Sequence, residues 1–253
     1  MIKVRNIWKR YGALEVLKGL NLDVHKGEIL VILGRSGVGK SVLLRHIIGI
    51  EKPDQGSISI DGVEITALKK NEIYHAVKNM GMLFQGSALF DSMNIEENTS
   101  FYLKQHGDPK TGKQFPPAEI EQKVAEALSM VGLEGIQKKM PSDLSGGMRK
   151  RAALARLIVY RPSILLYDEP TTGLDPITAQ QINELIVKTQ DELNGTSIVV
   201  THDIPSALFV ADRLALHQDG QIIHVDKPKK FLQIDDPTIR FLKDTYKIKE
   251  HDR

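Results

Sequence analysis

Eight consecutive residues in this sequence have the types and spacing of a phosphate site. Gly34-Arg35-Ser36-Gly37-Val38-Gly39-Lys40-Ser41 follows the pattern G-x-x-x-x-G-K-[ST]. Glycines at these positions let successive backbone N–H groups converge on phosphate oxygens. The helix that follows would turn its positive end on the same anion. Lys40 then serves as a point charge for the β- and γ-phosphates, and the Ser41 hydroxyl as a ligand for Mg2+. Val42 follows as the first apolar position of that helix, with Leu43 and Ile47 behind it. A chance match in a chain of average composition arises in about one chain in a hundred. The pattern therefore predicts a nucleotide-phosphate site rather than a glycine-rich turn with a stray lysine.

Two further groups bear on the same chemistry. Asp168-Glu169 closes the apolar run Ile164-Leu165-Leu166-Tyr167. An aspartate at a buried strand end is placed to hold Mg2+ through water. The next side chain points the other way because residues alternate along a strand, so Glu169 is free to act on an attacking water. Alone, such a pair commonly only caps a strand; a phosphate loop in the same chain favours the functional reading. The other group is Leu144-Ser145-Gly146-Gly147-Met148, followed by Arg149-Lys150-Arg151 and a helical run through Ala152, Leu154, Ala155, Leu157 and Ile158. A serine hydroxyl and glycine N–H groups at a helix N-terminus form a second anion site.

These residues need elements to hold them. Ile29–Leu33, Ile164–Tyr167 and Ser197–Val200 are continuous apolar runs of strand length, suited to strands buried on both faces of a parallel sheet. Each ends in polar residues, at the carboxyl end where ligands collect in such sheets. Ile2, Val4 and Ile7 alternate, as do Leu20, Leu22 and Val24. Ile120, Val124, Leu128 and Val131 keep one helical face, and so do Ile182, Leu185, Ile186, Thr189 and Leu193. From about Asn94 to Lys150 there is no buried strand run. That stretch reads as a mostly helical lobe inserted into a nucleotide-binding core, broken by a solvated loop at 107–117. After Gly220 come a short strand and amphipathic pieces around Phe231-Leu232 and Ile239–Leu242.

Composition sets outer bounds. The chain has 253 residues, enough for one or two domains. Its 34 Lys+Arg against 32 Asp+Glu leave a net +2, so overall charge is not built to hold a polyanion. The absence of cysteine excludes disulfide scaffolds, thiolate zinc sites and cysteine nucleophiles. The longest run without a charged residue, Asn79 to Phe90, falls short of the about twenty residues of a spanning helix. With strand-like alternation starting at Ile2 there is no room for a leader. These features lead us to expect a soluble, intracellular chain.

In their order along the chain, the motifs resemble those of the nucleotide-binding subunit of an ABC transporter, over roughly residues 1–241. The resemblance implies an α/β fold: a P-loop NTPase cassette with a RecA-like core, an antiparallel β subdomain and an inserted helical subdomain. The ATPase domain would span 1–240, its helical lobe about 94–160, and a C-terminal extension 241–253. It further implies that Tyr11 stacks on adenine and that Gln85 joins Ser41 and Asp168 at Mg2+ while linking that site to the mobile lobe. Glu169 becomes the general base or water-orienting carboxylate, Asp175 in Gly173-Leu174-Asp175 the D-loop acid, and His202 the sensor of the γ-phosphate. ATP would be enclosed head to tail by two copies, with Ser145, Gly146 and Gly147 of one completing the phosphate shell of the other. A separate integral permease would receive the stroke, its coupling helix in a groove lined by part of the segment 86–94.

Met148 where many members have glutamine, the basic run after it, the Phe84–Phe90 segment and the Asp236-Pro237 to Phe241-Leu242 tail resemble one subgroup. It comprises the ATPases of Mla-type (maintenance of lipid asymmetry) phospholipid transporters. That likeness implies phospholipid movement between bacterial inner and outer membranes, an MlaE-like permease, an MCE-domain substrate-binding protein, and a peripheral place on the cytoplasmic face of the inner membrane. Another transported substrate is the alternative. A non-transport ABC ATPase acting on nucleic acid or ribosomes is a remoter one, because long coiled-coil insertions and a second cassette are both missing.

Overall fold

The computed structural model describes residues 2–108 and 111–246. In chain order its strands are β1 (Ile2–Tyr11), β2 (Leu14–Val24), β3 (Ile29–Leu33), β4 (Gln55–Ile60), β5 (Val63–Glu64), β6 (Met80–Leu83), β7 (Ile164–Asp168), β8 (Thr196–Thr201), β9 (Arg213–Gln218) and β10 (Gln221–Asp226). The α-helices are α1 (Lys40–Ile47), α2 (Lys70–Val77), α3 (Ile95–His106), α4 (Pro117–Met130), α5 (Gly146–Ile158), α6 (Pro176–Leu193), α7 (Ile204–Val210), α8 (Pro228–Phe231) and α9 (Pro237–Tyr246). They divide into two compact units, residues 2–76 with 196–246, and residues 77–195.

The first unit holds two kinds of sheet. An antiparallel one, ordered β2-β1-β4-β5, arises from the alternating N-terminal segments. Ile2, Val4 and Ile7 are fully buried, and Ile2 sits between Val24 on one side and Ile60 on the other. The other is built round β3, every residue of which is buried. It runs parallel to β8 on one side and β9 on the other, and β10 folds back antiparallel on β9. Both faces of β3 are covered, which accounts for its unbroken apolar run. In α9, Ile239 is buried while Phe241 is two-thirds exposed. This helix runs through the expected boundary at 240/241. Residues 247–253, including the charged end Lys247-Ile248-Lys249, lie outside the described residues.

The second unit pairs β6 and β7 in parallel and covers them with helices. α3, α4 and α5 fall in the stretch anticipated as helical, 94–160, and the loop before α4 matches the break at 107–117, of which 109 and 110 are outside the described residues. α3 starts with a capping box: the Asn94 side chain accepts from Glu97 N and the Glu97 carboxylate accepts from Asn94 N. α5 approaches β6 so closely that a Cβ on Gly81 would lie 2.0 Å from Leu157 Cδ1. Only glycine fits beneath that helix. Among the described residues no helix is long and apolar enough to cross a membrane.

Candidate functional site

In the first unit the phosphate loop leaves the end of β3. The parallel register pairs Leu33 with Thr201 of β8 and with Leu216 of β9. Gly34, His202 and His217 therefore emerge from three adjacent strand ends on one edge of the sheet. Two loop glycines are required by the backbone: Gly37 and Gly39 have φ of 82° and 106°. Gly39 is doubly constrained, since a Cβ there would come 2.6 Å from Val16 Cγ1. Lys40 is buried, and its Nζ donates to the carbonyls of Gly34 at 2.7 Å and Arg35 at 3.0 Å, which holds the ammonium over the loop. α1 has no side-chain cap and no acidic residue in its first turn. Its positive end thus faces the loop with no carboxylate set against it. Arg35, Ser36 and Gly37 are exposed, Ser41 is half-buried, and Val42 faces the core.

Tyr11 closes β1 with its ring partly exposed. Its hydroxyl donates to the Glu51 carboxylate at 2.7 Å, and Lys9 Nζ stands 5.3 Å from the ring centre. This ties the ring to the loop after α1 and leaves aromatic surface open. His202 is exposed just past β8.

The second unit repeats the arrangement with β6 and β7. Leu83 pairs with Tyr167, so Gln85 and the Asp168-Glu169 pair leave neighbouring strand ends. Both acids are buried to about nine-tenths. Glu169 is held at φ 49°, a left-handed conformation rare for a residue with a side chain, and its Oε2 accepts from Thr172 Oγ1 at 3.0 Å. Ser145 caps α5, its Oγ accepting from Met148 N at 3.3 Å. Ser145 and Gly146 are exposed at a helix end without acidic residues in its first turn. Gly147 is buried, and a Cβ there would lie 2.5 Å from Thr178 Cγ2 of α6. Asp175 caps α6, accepting from the N–H of Ile177 and Thr178 and from the Thr178 hydroxyl at 2.6 Å. The Thr178 hydroxyl and backbone N–H bonds hold its carboxyl below the usual range.

Three side chains, two in the second unit and one in the first, were given no role by the motif reading. Lys150 of α5 is buried, and its Nζ donates to the Gln85 carbonyl. Burial pushes its pKa down, while Asp168 and Glu169 pull it up. His217, at the end of β9, is buried with neither ring nitrogen hydrogen-bonded, beside a cavity of about 550 Å3 that Gly34–Val38 also line. Burial and the charge of Lys40 push it down to about 4. Arg156 lines a second groove of about 380 Å3 with Phe84, Phe90, Phe101, Tyr102 and Tyr160. Its guanidinium lies 5.5 Å from the Phe90 ring centre. Arg156 and His217 lie in no motif, and the basic run that holds Lys150 does not single it out; the register of α5 and β9 turns them inward.

Mg2+ is tested by the donor set. Among the described residues no group of three or more His, Cys, Asp or Glu could hold a metal ion. Ser41 offers a hydroxyl, Gln85 an amide and Asp168 a carboxylate. Each is a hard oxygen donor, the ligand chemistry that suits Mg2+.

Comparison with known proteins places these motifs in context. The family model described as ABC transporter matches residues 17–172. The chain is 39% identical over 239 residues to the probable ribonucleotide transport ATP-binding protein mkl of Mycobacterium leprae, covering 94% of this chain and 67% of that one. It spans 65% of the corresponding Mycobacterium bovis protein. It is 41% identical over 244 residues to the intermembrane phospholipid transport system ATP-binding protein MlaF of Haemophilus influenzae, covering 96% of this chain and 90% of the relative. Among solved structures it is similar to the dimeric post-hydrolysis state of the ATP-binding cassette MJ0796 bound to ADP and Pi. The TM-score is 0.81 at 33% identity, over 90% of this chain and 98% of that one.

Proposed function

The chain belongs to the ABC transporter family as an ATP-hydrolysing, ATP-binding subunit, and from that premise we propose that it drives phospholipid transport through a separate membrane permease. In this reading two copies close head to tail on two ATP molecules. Lys40 and the N–H groups of Gly34, Arg35, Ser36, Gly37, Val38 and Gly39 hold the phosphates, with Ser41 and Val42 at the start of the helix behind. Tyr11 supports the adenine. Ser145, Gly146 and Gly147 of the partner copy complete the phosphate shell, and Asp175 fixes the loop beside it. Ser41, Gln85 and Asp168 would hold Mg2+, which when bound neutralises charge on the phosphates. Glu169 accepts the proton of, or orients, the attacking water. His202 meets the γ-phosphate and registers its loss. Phosphate release removes the contacts that glue the copies and reopens them, a two-state switch biased by ligand.

The observation that carries the ATP reading is the uncapped α1 N-terminus with Lys40 drawn over the loop. For the cargo, support comes from likeness to the H. influenzae protein along nearly the whole of both chains. The aromatic groove with Arg156 supports docking of an MlaE-like permease, and an MCE-domain protein would complete the complex at the cytoplasmic face of the inner membrane. Other relatives carry other substrates in their names, so the test must read the cargo. The tagged chain should be purified with its membrane partners and the complex analysed for bound lipid. Recovery of an integral permease, an MCE-domain protein and phospholipid supports the proposal. A permease without the MCE protein and lipid points to another substrate, and nucleic acid or ribosomes in place of a permease overturn the transport role.

A further inference from the structure

Two basic side chains of α5 turn back on one loop. Lys150 Nζ donates to the Gln85 carbonyl. Arg156 Nη1 donates to the Ala88 carbonyl at 2.7 Å and Nη2 to that of Ser87 at 3.3 Å. Three of the four consecutive carbonyls from 85 to 88 thus end on one helix. The loop needs holding, because Ser87 and Ala88 have φ of 65° and 50°, left-handed values that residues with side chains adopt only when their surroundings impose them. The same helix begins at the Ser145 cap. At 1.5 Å per residue, Lys150 sits about 7 Å and Arg156 about 16 Å along the axis from that anion-binding end.

Lys150 is an expensive choice for a structural strut. Burying an ammonium is unfavourable, and an apolar residue of similar volume commonly serves a core as well or better. The neighbours in sequence show the contrast: Arg149 is exposed and Arg151 half-buried, and only Lys150 of the three is buried. Asp168 and Glu169 lie within its electrostatic reach. One ammonium therefore connects α5, the main chain of Gln85 and the field of the two acids.

We propose that Lys150, seconded by Arg156, is a positioning residue that fixes the Gln85–Ala88 main chain to the helix starting at Ser145. Loop and helix then move as one body. A docked partner that shifts the loop shifts the anion-binding serine with it, and Gln85 is kept in register with Asp168 and Glu169 during turnover. The inference rests on the reading above in which Gln85 and Ser145 belong to the ATP cycle.

The test uses the full chain with Lys150→Met and Lys150→Arg. Lys150→Met keeps length but loses the donor, whereas Lys150→Arg keeps the donor and charge. For Lys150→Met, kcat should fall by about ten-fold or more with KM for ATP little changed, as expected for misplaced groups rather than lost substrate contacts. Amide exchange in peptides spanning 84–90 should rise while α5 stays protected, and Lys150→Arg should restore both readouts. Arg156→Met, a second variant should the first fold poorly, should raise exchange at 87–90 and lower kcat, again without moving KM. Wild-type kcat in Lys150→Met, or equal impairment of the Met and Arg variants with unchanged exchange at 84–90, overturns the proposal. Failure of the wild-type chain itself to hydrolyse ATP would instead sink the functional reading on which it rests.

Discussion

Glu169 stands at φ 49° with its carboxylate tied to Thr172. A left-handed non-glycine residue costs about 1–3 kcal/mol, and surroundings must impose it. The gain is direction: the turn swings Glu169 off the line of β7, so that it does not simply follow Asp168 into the strand's alternation. The acid was legible in the sequence as the residue after a buried run. Its backbone was not, because nothing in Asp-Glu-Pro marks a positive φ. His217 was likewise invisible, a histidine outside every motif.

Its burial nevertheless has a measurable consequence. With the folded-state pKa lowered to about 4, His217 stays neutral where the unfolded chain, near 6.5, takes up a proton. Above pH 7 neither form is protonated and the group adds no pH dependence. As pH falls from about 6.5 toward 4 the unfolded state binds the extra proton, and stability is lost by up to about 3 kcal/mol. His46, also pushed down by burial, keeps its own share in any variant. His217→Leu should therefore flatten, without abolishing, the fall in urea midpoint between pH 7 and 4.5. An identical slope in both proteins would rule His217 out as the source.

At the scale of elements, the start of α5 is set by contact as much as by capping. Gly147 lies against Thr178 of α6, which is in turn bonded to the Asp175 cap. Gly147→Ala inserts a methyl where 2.5 Å is available, and overpacking of this kind costs about 1–3 kcal/mol. Thr178→Ser removes the obstructing Cγ2 yet keeps the hydroxyl that bonds Asp175. A denaturant double-mutant cycle should show Thr178→Ser recovering at least half the loss. Coupling near zero would mean that the clash is relieved elsewhere.

The sequence pattern predicted these elements unevenly, for physical reasons. β3, β7 and β8 were legible because strands buried on both faces leave unbroken apolar runs. The helical faces of α4 and α6 were legible by period, and Val124, Leu128, Ile182 and Ile186 are all buried. β1 continues well past its apolar alternation into Lys9, Arg10 and Tyr11, since backbone pairing with β2 carries it there. In Arg149-Lys150-Arg151 the three cations look alike on paper; helix phase alone decides that the middle one goes inside.

For the whole molecule, the inventory of one phosphate loop and one Ser-Gly-Gly helix start per chain predicts a partner of the same kind. Blocking the proposed general base should trap it. Glu169→Gln in Mg2+-ATP should elute near twice the 28.3 kDa chain mass and release phosphate about 10²–10⁴-fold more slowly than wild type. Adding Ser145→Arg should leave ATP binding intact but return the protein to one chain mass in light scattering. A dimer that persists in the double variant would show that this serine end is not the joint.

The strand that carries the phosphate loop has its neighbours far away in sequence: Leu33 waits for Thr201 and Leu216. Domains generally take shape as they leave the ribosome, N-terminal parts first, and distant pairings form slowly. Here that order is inverted for the earliest motif. Gly34–Ser41 leaves the ribosome well before β8 and β9, so β3 has neither flanking strand until those later segments have been made. A nascent chain thus carries its phosphate loop on an unflanked strand until β8 and β9 have been made.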